Sequence, residues 1–532
     1  MSKGAAQLAK SAGIISIATF CSRILGLVRE QVIAHLFPRY ATDAFYVAFR
    51  IPNLLRDLFA EGALSSAFIP TFAAYLTQRG RAEAWKLASM VVNLLLVILS
   101  ATTLVGIVFS DWIVMQFAGS YTEIPGKFEL TVLMTRLMFP FLPIVALAAV
   151  AMGVLNSQGK FLVPAMAPAL FNVGSLVTAL ALYRFLPDLG LEPILAMAVG
   201  TVVGGSLQLL VQVPQVFRQG FEYILAIDLR HSGVRRVLLL MGPGTIGLAA
   251  TQINIFVNTW LATGQEEGAV SWLNYAFRLM QFPIGVFGVA IAAAALPTIS
   301  AQVARKELQH LRDTLSTSLR MGFALNIPAS FGLIFLSQPI IQAIYEHGRF
   351  TATDTLATAK ALVYYALGLF AYSAIKILVP AFYSLGRSRV PVIVSSLSVA
   401  LNIVLNLALV GPMGYSGLAL GTSVTSVFNF LLLFGLLQRY TGGLEVRPIL
   451  STFVKAALAS TVMGLCCYRF HRWFFTLPFG FSGIGWQIVS LGLAIGLGMV
   501  VLLIVANLLR MQEVGAALQH LREKVRSLRS RT

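Results

Sequence analysis

The amino-acid sequence predicts an all-α membrane protein with about fourteen transmembrane helices, arranged as two pseudo-symmetric six-helix lobes plus two C-terminal helices. Three observations predict this class: the composition, the apolar stretches of membrane-spanning length, and an internal repeat. Charged residues make up 11% of the 532 residues and hydrophobic residues 57%, whereas a soluble domain has about 25% charged residues. So few charges cannot cover the surface of a soluble globule.

The composition also excludes other classes of protein. Mean hydropathy is +0.80, which is far too apolar for a disordered chain. Three cysteines in 532 residues cannot hold a disulfide scaffold together. The six histidines are scattered without the spacing of metal ligands, and the sequence has no phosphate loop, nucleophile elbow or zinc ribbon. We therefore expect no metal site and no cofactor.

Apolar stretches place the individual spans. A helix needs about 20 mostly apolar residues to cross the hydrocarbon of a bilayer. Fourteen stretches of the sequence meet this requirement, and the first two of them carry charges. They lie near 12–36, 42–76, 86–109, 129–155, 162–183, 191–214, 239–262, 268–297, 315–344, 355–383, 390–411, 415–437, 450–470 and 484–509.

Lysines and arginines give an independent check on that count. If the N-terminus is cytoplasmic and the spans alternate, most basic loop residues fall on the cytoplasmic side, as expected for membrane proteins. A wrong number of spans would reverse every later loop and remove this bias. The sequence thus predicts that both termini are cytoplasmic. The bias also accounts for the net charge of +18 without a nucleic-acid partner.

An internal repeat divides the chain. The run YVAFR at 46–50 recurs as NYAFR at 274–278, and GKFLVP at 159–164 recurs as GRSRVP at 386–391, at nearly the same offset. Two matches indicate duplication of a six-helix unit, as in transporters with two pseudo-symmetric halves. The predicted domains are an N-lobe at 1–217, a basic amphipathic linker at 218–240, a C-lobe at 241–440, two further helices at 441–510 and a basic cytoplasmic tail at 511–532.

Charged residues inside the predicted spans are the main functional signal. An arginine at the centre of a transmembrane helix costs about 2.5–3.5 kcal/mol by insertion scales, so such side chains are expected to face partners or a hydrated cavity. Asp43, Arg50 and Asp57 recur every seven residues and share one helical stripe, with Glu61 four residues further on. The five arginines concerned are Arg23, Arg29, Arg50, Arg56 and Arg278.

Two interpretations of these charges stay open from the residues alone. In the first, the charges only pair with one another and hold helices together. In the second, the arginines exceed the nearby acids and line a cavity that binds an anion. Guanidinium groups bind phosphate and carboxylate oxygens in bidentate fashion, so the second interpretation predicts a pyrophosphate or carboxylate ligand.

Several of these runs resemble a known family. SRILGLVR at 22–29, ATDAF at 41–45, FRIPNLLR at 49–56 and FAEGA at 59–63 resemble the N-terminal signature of the MurJ/MviN lipid II flippases, and YAFRLMQFP at 275–283 resembles their seventh-to-eighth helix region. The similarity extends over nearly the whole chain. Asp57 and Gln281 depart from one common family pattern, which has a basic residue and Glu at these positions.

The resemblance implies a fold and an activity. It implies the V-shaped fold of the multidrug/oligosaccharidyl-lipid/polysaccharide exporter superfamily. It also implies alternating-access transport of lipid II, the undecaprenyl-pyrophosphate-linked peptidoglycan precursor, from the inner to the outer leaflet of the bacterial cytoplasmic membrane. Such transport serves peptidoglycan and cell-wall biogenesis and cell shape. It changes no covalent bond, so the chain is not expected to be an enzyme.

The resemblance also implies roles for single residues. Arg23, Arg29 and Arg278 match cavity arginines that contact the pyrophosphate, and helices 13 and 14 match a pair that forms a groove for the polyprenyl tail. Asp43 and Arg56 match positions needed for function. The expected substrate-binding residues are Arg23, Arg29, Arg278, Arg56, Asp43, Arg50, Asn53 and Glu61.

Two other functions predict different features of the sequence. A related exporter of another polyprenyl-linked oligosaccharide, or of small molecules, would have fewer cavity arginines and twelve helices. A membrane enzyme acting on polyprenyl phosphates would need an Asp-Asp-x-x-Asp cluster or a His-rich site, and the sequence contains neither. The expected partners are lipid II, membrane lipids, a monovalent counter-ion and proteins of cell-wall synthesis.

Overall fold

The computed structural model describes residues 3–58, 63–475, 483–511 and 513. Within these ranges the chain is almost entirely helical and has no β-strand, so the predicted all-α class is confirmed. The described helices are α1 (Lys3–Leu36), α2 (Arg39–Arg56), α3 (Ala63–Gln78), α4 (Arg81–Val108), α5 (Ser110–Ala118), α6 (Lys127–Met138), α7 (Phe141–Ser157), α8 (Leu162–Leu182), α9 (Leu195–Leu210), α10 (Val213–Arg218), α11 (Ser232–Thr263), α12 (Ala269–Pro283), α13 (Val289–Ala304), α14 (Leu308–Phe335), α15 (Ser337–Tyr345), α16 (Ala352–Ala366), α17 (Leu369–Ser384), α18 (Arg389–Met413), α19 (Tyr415–Thr441), α20 (Val446–Phe475) and α21 (Ile484–Leu508).

Many of these helices are suited to a membrane. Among the described residues, ten helical segments are long and apolar enough to cross a bilayer, and the pair α16–α17, bent by 44°, makes an eleventh if it is one span. The chain is therefore a multi-pass membrane protein. The count of fourteen stays a prediction, because its remaining three stretches fall on α1, on α2 with α3, and on α11, which are not among those segments.

The first compact unit comprises 1–271 together with 348–350. Its core joins α3, α4, α7 and α11. In the same unit α8 and α9 pack with their backbones close together, because glycines of α9 face α8. A Cβ added at Gly200 would lie 2.6 Å from the Ser175 carbonyl oxygen. Small residues at such crossings let membrane helices approach closely.

The second compact unit comprises 272–347 together with 351–532. Its core is formed by α13, α14, α17, α19 and α20, with Leu319, Ile377 and Leu433 fully buried. Helices α20 and α21, the predicted additional pair, also pack on each other: the Cys467 thiol lies 3.3 Å from the Ala494 carbonyl oxygen. The groove for the polyprenyl tail, which the resemblance implies on this pair of helices, stays a prediction.

The compact units and the predicted lobes do not end at the same residue. The predicted C-lobe begins at 241, whereas the contacts of α11 place this helix in the first unit, packed on α3, α4 and α5. Val234 and Val237 of α11 belong to the core of that unit. The lobes were inferred from the repeat, and their boundaries stay a prediction.

The predicted linker at 218–240 has two different parts. Residues 221–228 contain no helix, and α11 begins at Ser232. The Asn93 amide of α4 donates to the carbonyl oxygens of Ile224 and Ala226, both at 2.9 Å. The first part is therefore a strap fixed to α4 by hydrogen bonds, and the amphipathic, interfacial character of the linker stays a prediction. The four arginines of the linker are Arg218 and Arg230, which precede α11, and Arg235 and Arg236, which lie near its start.

The C-terminal end of α21 is also fixed. Arg510 adopts a left-handed backbone conformation with φ of 53°, which turns the chain back, and Met511 is buried in the core of the second unit. The Glu513 carboxylate accepts a hydrogen bond from Arg320 Nε at 2.6 Å and one from the Thr452 hydroxyl at 2.9 Å. The predicted basic tail lies outside the described residues, apart from Met511 and Glu513.

Candidate functional site

The first part of the candidate site is a buried arginine on α1. The Arg29 side chain belongs to a residue that is 5% exposed, and its Nη2 lies 3.0 Å from Oε1 of the fully buried Glu30. The Tyr46 hydroxyl of α2 donates to the other oxygen of Glu30. The guanidinium also lies 5.4 Å from the ring centre of Phe171, within reach of a cation–π interaction.

One hydrogen-bond donor of Arg29 has no acceptor among the described residues. Arg29 Nε is buried and has no hydrogen-bond partner among the residues that the structure describes. A buried donor without an acceptor costs about 1–3 kcal/mol. Arg29 is thus a desolvated cation whose hydrogen-bonding capacity is only partly used, which is the property that the anion-binding interpretation requires.

The second part is the carboxylate of Asp43 on α2. Asp43 is 2% exposed. Its Oδ2 accepts from the Gly268 backbone N–H at 2.8 Å, and its Oδ1 accepts from the backbone N–H and the hydroxyl of Ser271, at 2.9 and 2.7 Å. These donors lie at the N-terminal end of α12, where backbone N–H groups have no partner within the helix. Asp43 therefore caps α12 from another helix, with its negative charge favourably placed in the helix dipole.

A buried lysine completes this arrangement. Lys127 at the start of α6 is 1% exposed, and its Nζ lies 3.3 Å from Asp43 Oδ2 and 4.1 Å from the ring centre of Tyr121. Burial, and then the negative charge of Asp43, raise the pKa of the Tyr121 hydroxyl well above its ordinary value. We call Asp43, Lys127, Tyr121, Gly268 and Ser271 the Asp43 cluster.

Further contacts surround the turn between α1 and α2. The Tyr40 hydroxyl donates to Glu192 at 2.9 Å, and the Arg349 backbone N–H donates to the His35 carbonyl oxygen at 2.9 Å. Partial burial, followed by the hydrogen bond to Glu192, raises the pKa of Tyr40 to about 12. Gly348, with φ of +64°, leaves no room for a side chain, because an added Cβ would lie 2.3 Å from the same His35 oxygen.

The other expected residues on α1 and α2 are less enclosed. Arg23, Arg50 and Asn53 are half-buried. Arg56 pairs with the neighbouring Asp57 at 2.8 Å, with side-chain exposures of 22% and 28%. Part of the charge on α2 is therefore paired locally, as the first interpretation predicts. Glu61 lies outside the described residues.

Arg278 lies on α12, in the second unit, and is exposed. Trp272, the first residue of α12 in that unit, also makes its contacts there: its indole N–H donates to Asp354 at 2.8 Å, and its ring lies 5.2 Å from that of Tyr415. Arg23 and Arg29 belong to the first unit. A common ligand for the three arginines stays a prediction.

Some residues of the site were missed by the sequence analysis. Lys127 precedes the predicted span at 129–155, which makes it a loop residue, so its burial against Asp43 was not expected. Ser271 could have been found, because it occupies the repeat position of Asp43, at the same offset that relates Arg278 to Arg50. Nothing in the pattern points to Tyr46 or Phe171.

The fold and the site together define a class of protein. A multi-pass membrane protein that buries ion pairs and a partly unsatisfied arginine is typical of transport proteins, because ionisable residues inside such bundles mark substrate or ion pathways. Solved structures show the same fold: a multidrug resistance MATE family transporter of the MOP superfamily, inward-facing, is matched with a TM-score of 0.67 at 16% identity, covering 80% of this chain and 98% of that one.

More specific matches identify the family. The family model described as lipid II flippase MurJ matches residues 33–482, so the chain belongs to the lipid II flippase MurJ family. The lipid II flippase MurJ of Burkholderia cenocepacia is 37% identical, covering 79% of this chain and 82% of the relative. The probable lipid II flippase MurJ of Vibrio cholerae is 33% identical, covering 96% and 98%. A solved structure titled lipid II flippase MurJ, inward closed conformation, matches with a TM-score of 0.77 at 28% identity, covering 93% and 98%.

Proposed function

We propose that this protein moves lipid II from the inner to the outer leaflet of the bacterial cytoplasmic membrane by alternating access, with both termini in the cytoplasm. Membership of the MurJ family supports the substrate. The basic-loop bias supports the orientation. No covalent bond changes in this process, so the protein acts as a transporter and not as an enzyme.

The observation that carries the proposal is the state of Arg29. Its charge is shared with one carboxylate, which in turn is bound by Tyr46, and its Nε–H has no acceptor among the described residues. A diphosphate offers several anionic oxygens, and arginine binds such oxygens through short, charge-assisted hydrogen bonds. Arg29 would bind the pyrophosphate of lipid II, with Arg23 and Arg278 as further cationic contacts.

The Asp43 cluster has a different role in this proposal. Its carboxylate is enclosed by donors on all sides and 2% exposed, so a direct contact with a headgroup would require these bonds to break. We assign it as a positioning residue that fixes the start of α12. Arg278 lies seven residues after Ser271, two turns further along the same helix.

We also propose an energy source for the transport cycle. The membrane potential supplies about 2.3 kcal/mol per unit charge per 100 mV, so movement of cavity arginines or of a monovalent counter-ion would bias the cycle. The tail of the substrate would stay in lipid along α20 and α21. Proteins of cell-wall synthesis would supply and consume the lipid on the two sides.

Complementation tests the role of Arg29. A strain depleted of its own lipid II flippase receives wild type, Arg29→Ala or Arg29→Lys, and growth is compared at equal membrane levels of protein. We expect no rescue by Arg29→Ala, and partial rescue by Arg29→Lys, which keeps the charge but loses the bidentate geometry. The matched control is Arg305→Ala, since the Arg305 side chain is 72% exposed and lies in a loop.

Three outcomes of this experiment separate a ligand contact from a folding defect and from a wrong substrate. Loss of rescue with an unchanged thermal unfolding midpoint of the purified variant supports a ligand contact. Full rescue by Arg29→Ala at wild-type protein level rejects the pyrophosphate contact. If wild type itself does not rescue while it inserts at a normal level, the proposed substrate is wrong.

A further inference from the structure

An apolar groove lies on the first unit between α3, α4 and α11. Its volume is ≈ 400 Å³, which is within the range of ligand-sized pockets. Among the described residues, all of those that line it are apolar. Leu64 and Leu99 form the floor and are 1% exposed, whereas Ile98 and Leu238 form the rim and are 43% and 40% exposed. The groove is therefore open along one side, and an apolar occupant can enter from the bilayer.

Its length corresponds to one leaflet. The lining residues of α11 run from Val234 to Gly242, which is about 12 Å at 1.5 Å per residue. Half of the hydrocarbon core of a bilayer is about 15 Å thick. The groove thus accommodates an acyl chain of one leaflet and not a span of the whole membrane.

Cationic groups lie at one end of the groove. Arg235 is exposed and lies on the same side of α11 as Leu238 and Gly242, three and seven residues further on. At the neighbouring end of α3, Arg79 is exposed and lies 4.6 Å from the ring centre of Tyr75.

A contact joins the end of α3, beside Arg79, to the start of α11, which carries Arg235. The Tyr75 hydroxyl lies 2.8 Å from the Ser232 hydroxyl in the first turn of α11. Beside this contact, the Glu83 carboxylate lies 4.0 Å from Nε2 of His231, the residue before α11. Two exposed guanidinium groups therefore lie at the junction of α3 and α11, where the apolar lining ends.

We propose that this groove binds one anionic phospholipid, with an acyl chain between α3, α4 and α11 and the phosphate at Arg235 and Arg79. The opposite charges of headgroup and arginines favour an anionic lipid over a zwitterionic one, as at basic pockets between transmembrane helices. With the orientation proposed above, the lipid belongs to the cytoplasmic leaflet. The site is separate from the proposed lipid II contacts of Arg29, and it does not depend on them.

Photo-crosslinking tests the proposal on the full-length protein. The chain is reconstituted in phosphatidylcholine nanodiscs with a trace of phosphatidylglycerol that carries a diazirine in its acyl chain, and the labelled peptides are mapped by mass spectrometry. Phosphatidylcholine with the same diazirine is the reference probe. We expect labels from the anionic probe at 91–99 and 234–242, and clearly fewer from the reference probe.

Matched variants separate the site from bulk lipid. Arg235→Gln should lower the labelling about fivefold, the effect of one arginine near an anionic headgroup. Arg236→Gln, the adjacent exposed residue on the other side of α11, should not. Gly242→Leu should fill the groove, since no heavy atom of the described residues lies within 4 Å of an added Cβ there. Gly435→Leu, which is equally open, is its control.

Several results would overturn the proposal. Equal labelling by the two probes would mean boundary lipid only. Equal effects of the two arginine variants would mean a diffuse charge effect. Unchanged labelling in Gly242→Leu would place the lipid elsewhere.

Discussion

The Asp43 cluster gives the sharpest prediction from the structure. Asp43→Asn removes the negative charge that lies 3.3 Å from the Lys127 ammonium, while both residues are almost completely buried. Removing one partner of a buried ion pair costs about 3–5 kcal/mol, because it leaves the other charge uncompensated. The asparagine amide also keeps only one acceptor oxygen for the donors of Gly268 and Ser271. We expect a fall in unfolding free energy of about 3–5 kcal/mol.

A double-mutant cycle tests the origin of that loss. Lys127→Met removes the ammonium and keeps an apolar stem beside Tyr121. The double variant Asp43→Asn/Lys127→Met should lose less than the sum of the single variants, by about 0.5–3 kcal/mol, as for residues in one network. Glu267→Gln is the control, since its partner Arg39 lies at 3.5 Å and both side chains are about two-fifths exposed. An exposed pair contributes about 0–1 kcal/mol.

The assay is thermal and denaturant unfolding of the purified protein in detergent, read from intrinsic tryptophan fluorescence. Each variant is measured in the same detergent, so that only differences are interpreted. Additive losses in the double variant, or a Glu267→Gln effect as large as that of Asp43→Asn, would refute the reasoning about a buried coupled pair.

Three further predictions concern neighbouring contacts. Tyr46→Phe removes a donor to the buried Glu30 and should lower stability by about 1–3 kcal/mol; an unchanged unfolding midpoint would contradict the network. Gly348→Ala should lower the midpoint clearly, because φ is +64° and the Cβ meets the His35 oxygen at 2.3 Å; a neutral effect would show that the loop moves freely. The raised pKa of Tyr40, about 12, means that the folded state disfavours its anion, so wild-type stability should fall between pH 10 and 12 relative to Tyr40→Phe, and parallel pH profiles would argue against it.

The sequence predicts the class of fold well, because apolar length and charge depletion are strong signals in a membrane. It predicts the helical class and the positions of the long spans from α4 onward, apart from α11. It does not decide the break between α2 and α3, because charged and apolar residues are mixed there. The strap at 221–228 was not expected either, since the side chains that fix it, Ser89 and Asn93, lie on a helix that is distant in the sequence.

The site was predicted in part, and for a physical reason. The cost of charge at bilayer depth identified Arg29 and Asp43 as residues that need partners, and the structure gives both of them partners. The sequence could not identify the partners on other helices. Tyr46 binds Glu30, which pairs with Arg29, and Lys127 binds Asp43, and both contacts depend on how the helices pack. A loop assignment from hydropathy treats Lys127 as solvated, whereas it is 1% exposed.

The most direct test of the central claim is the affinity of the purified protein for lipid II, measured by titration in nanodiscs for wild type, Arg29→Ala and Arg305→Ala. Losing one charge-assisted hydrogen-bond donor should weaken binding about tenfold to a hundredfold in Arg29→Ala, with no change in Arg305→Ala. Equal affinity of all three proteins, at equal thermal stability, would contradict the account, because the buried guanidinium of Arg29 would then have no part in holding the diphosphate.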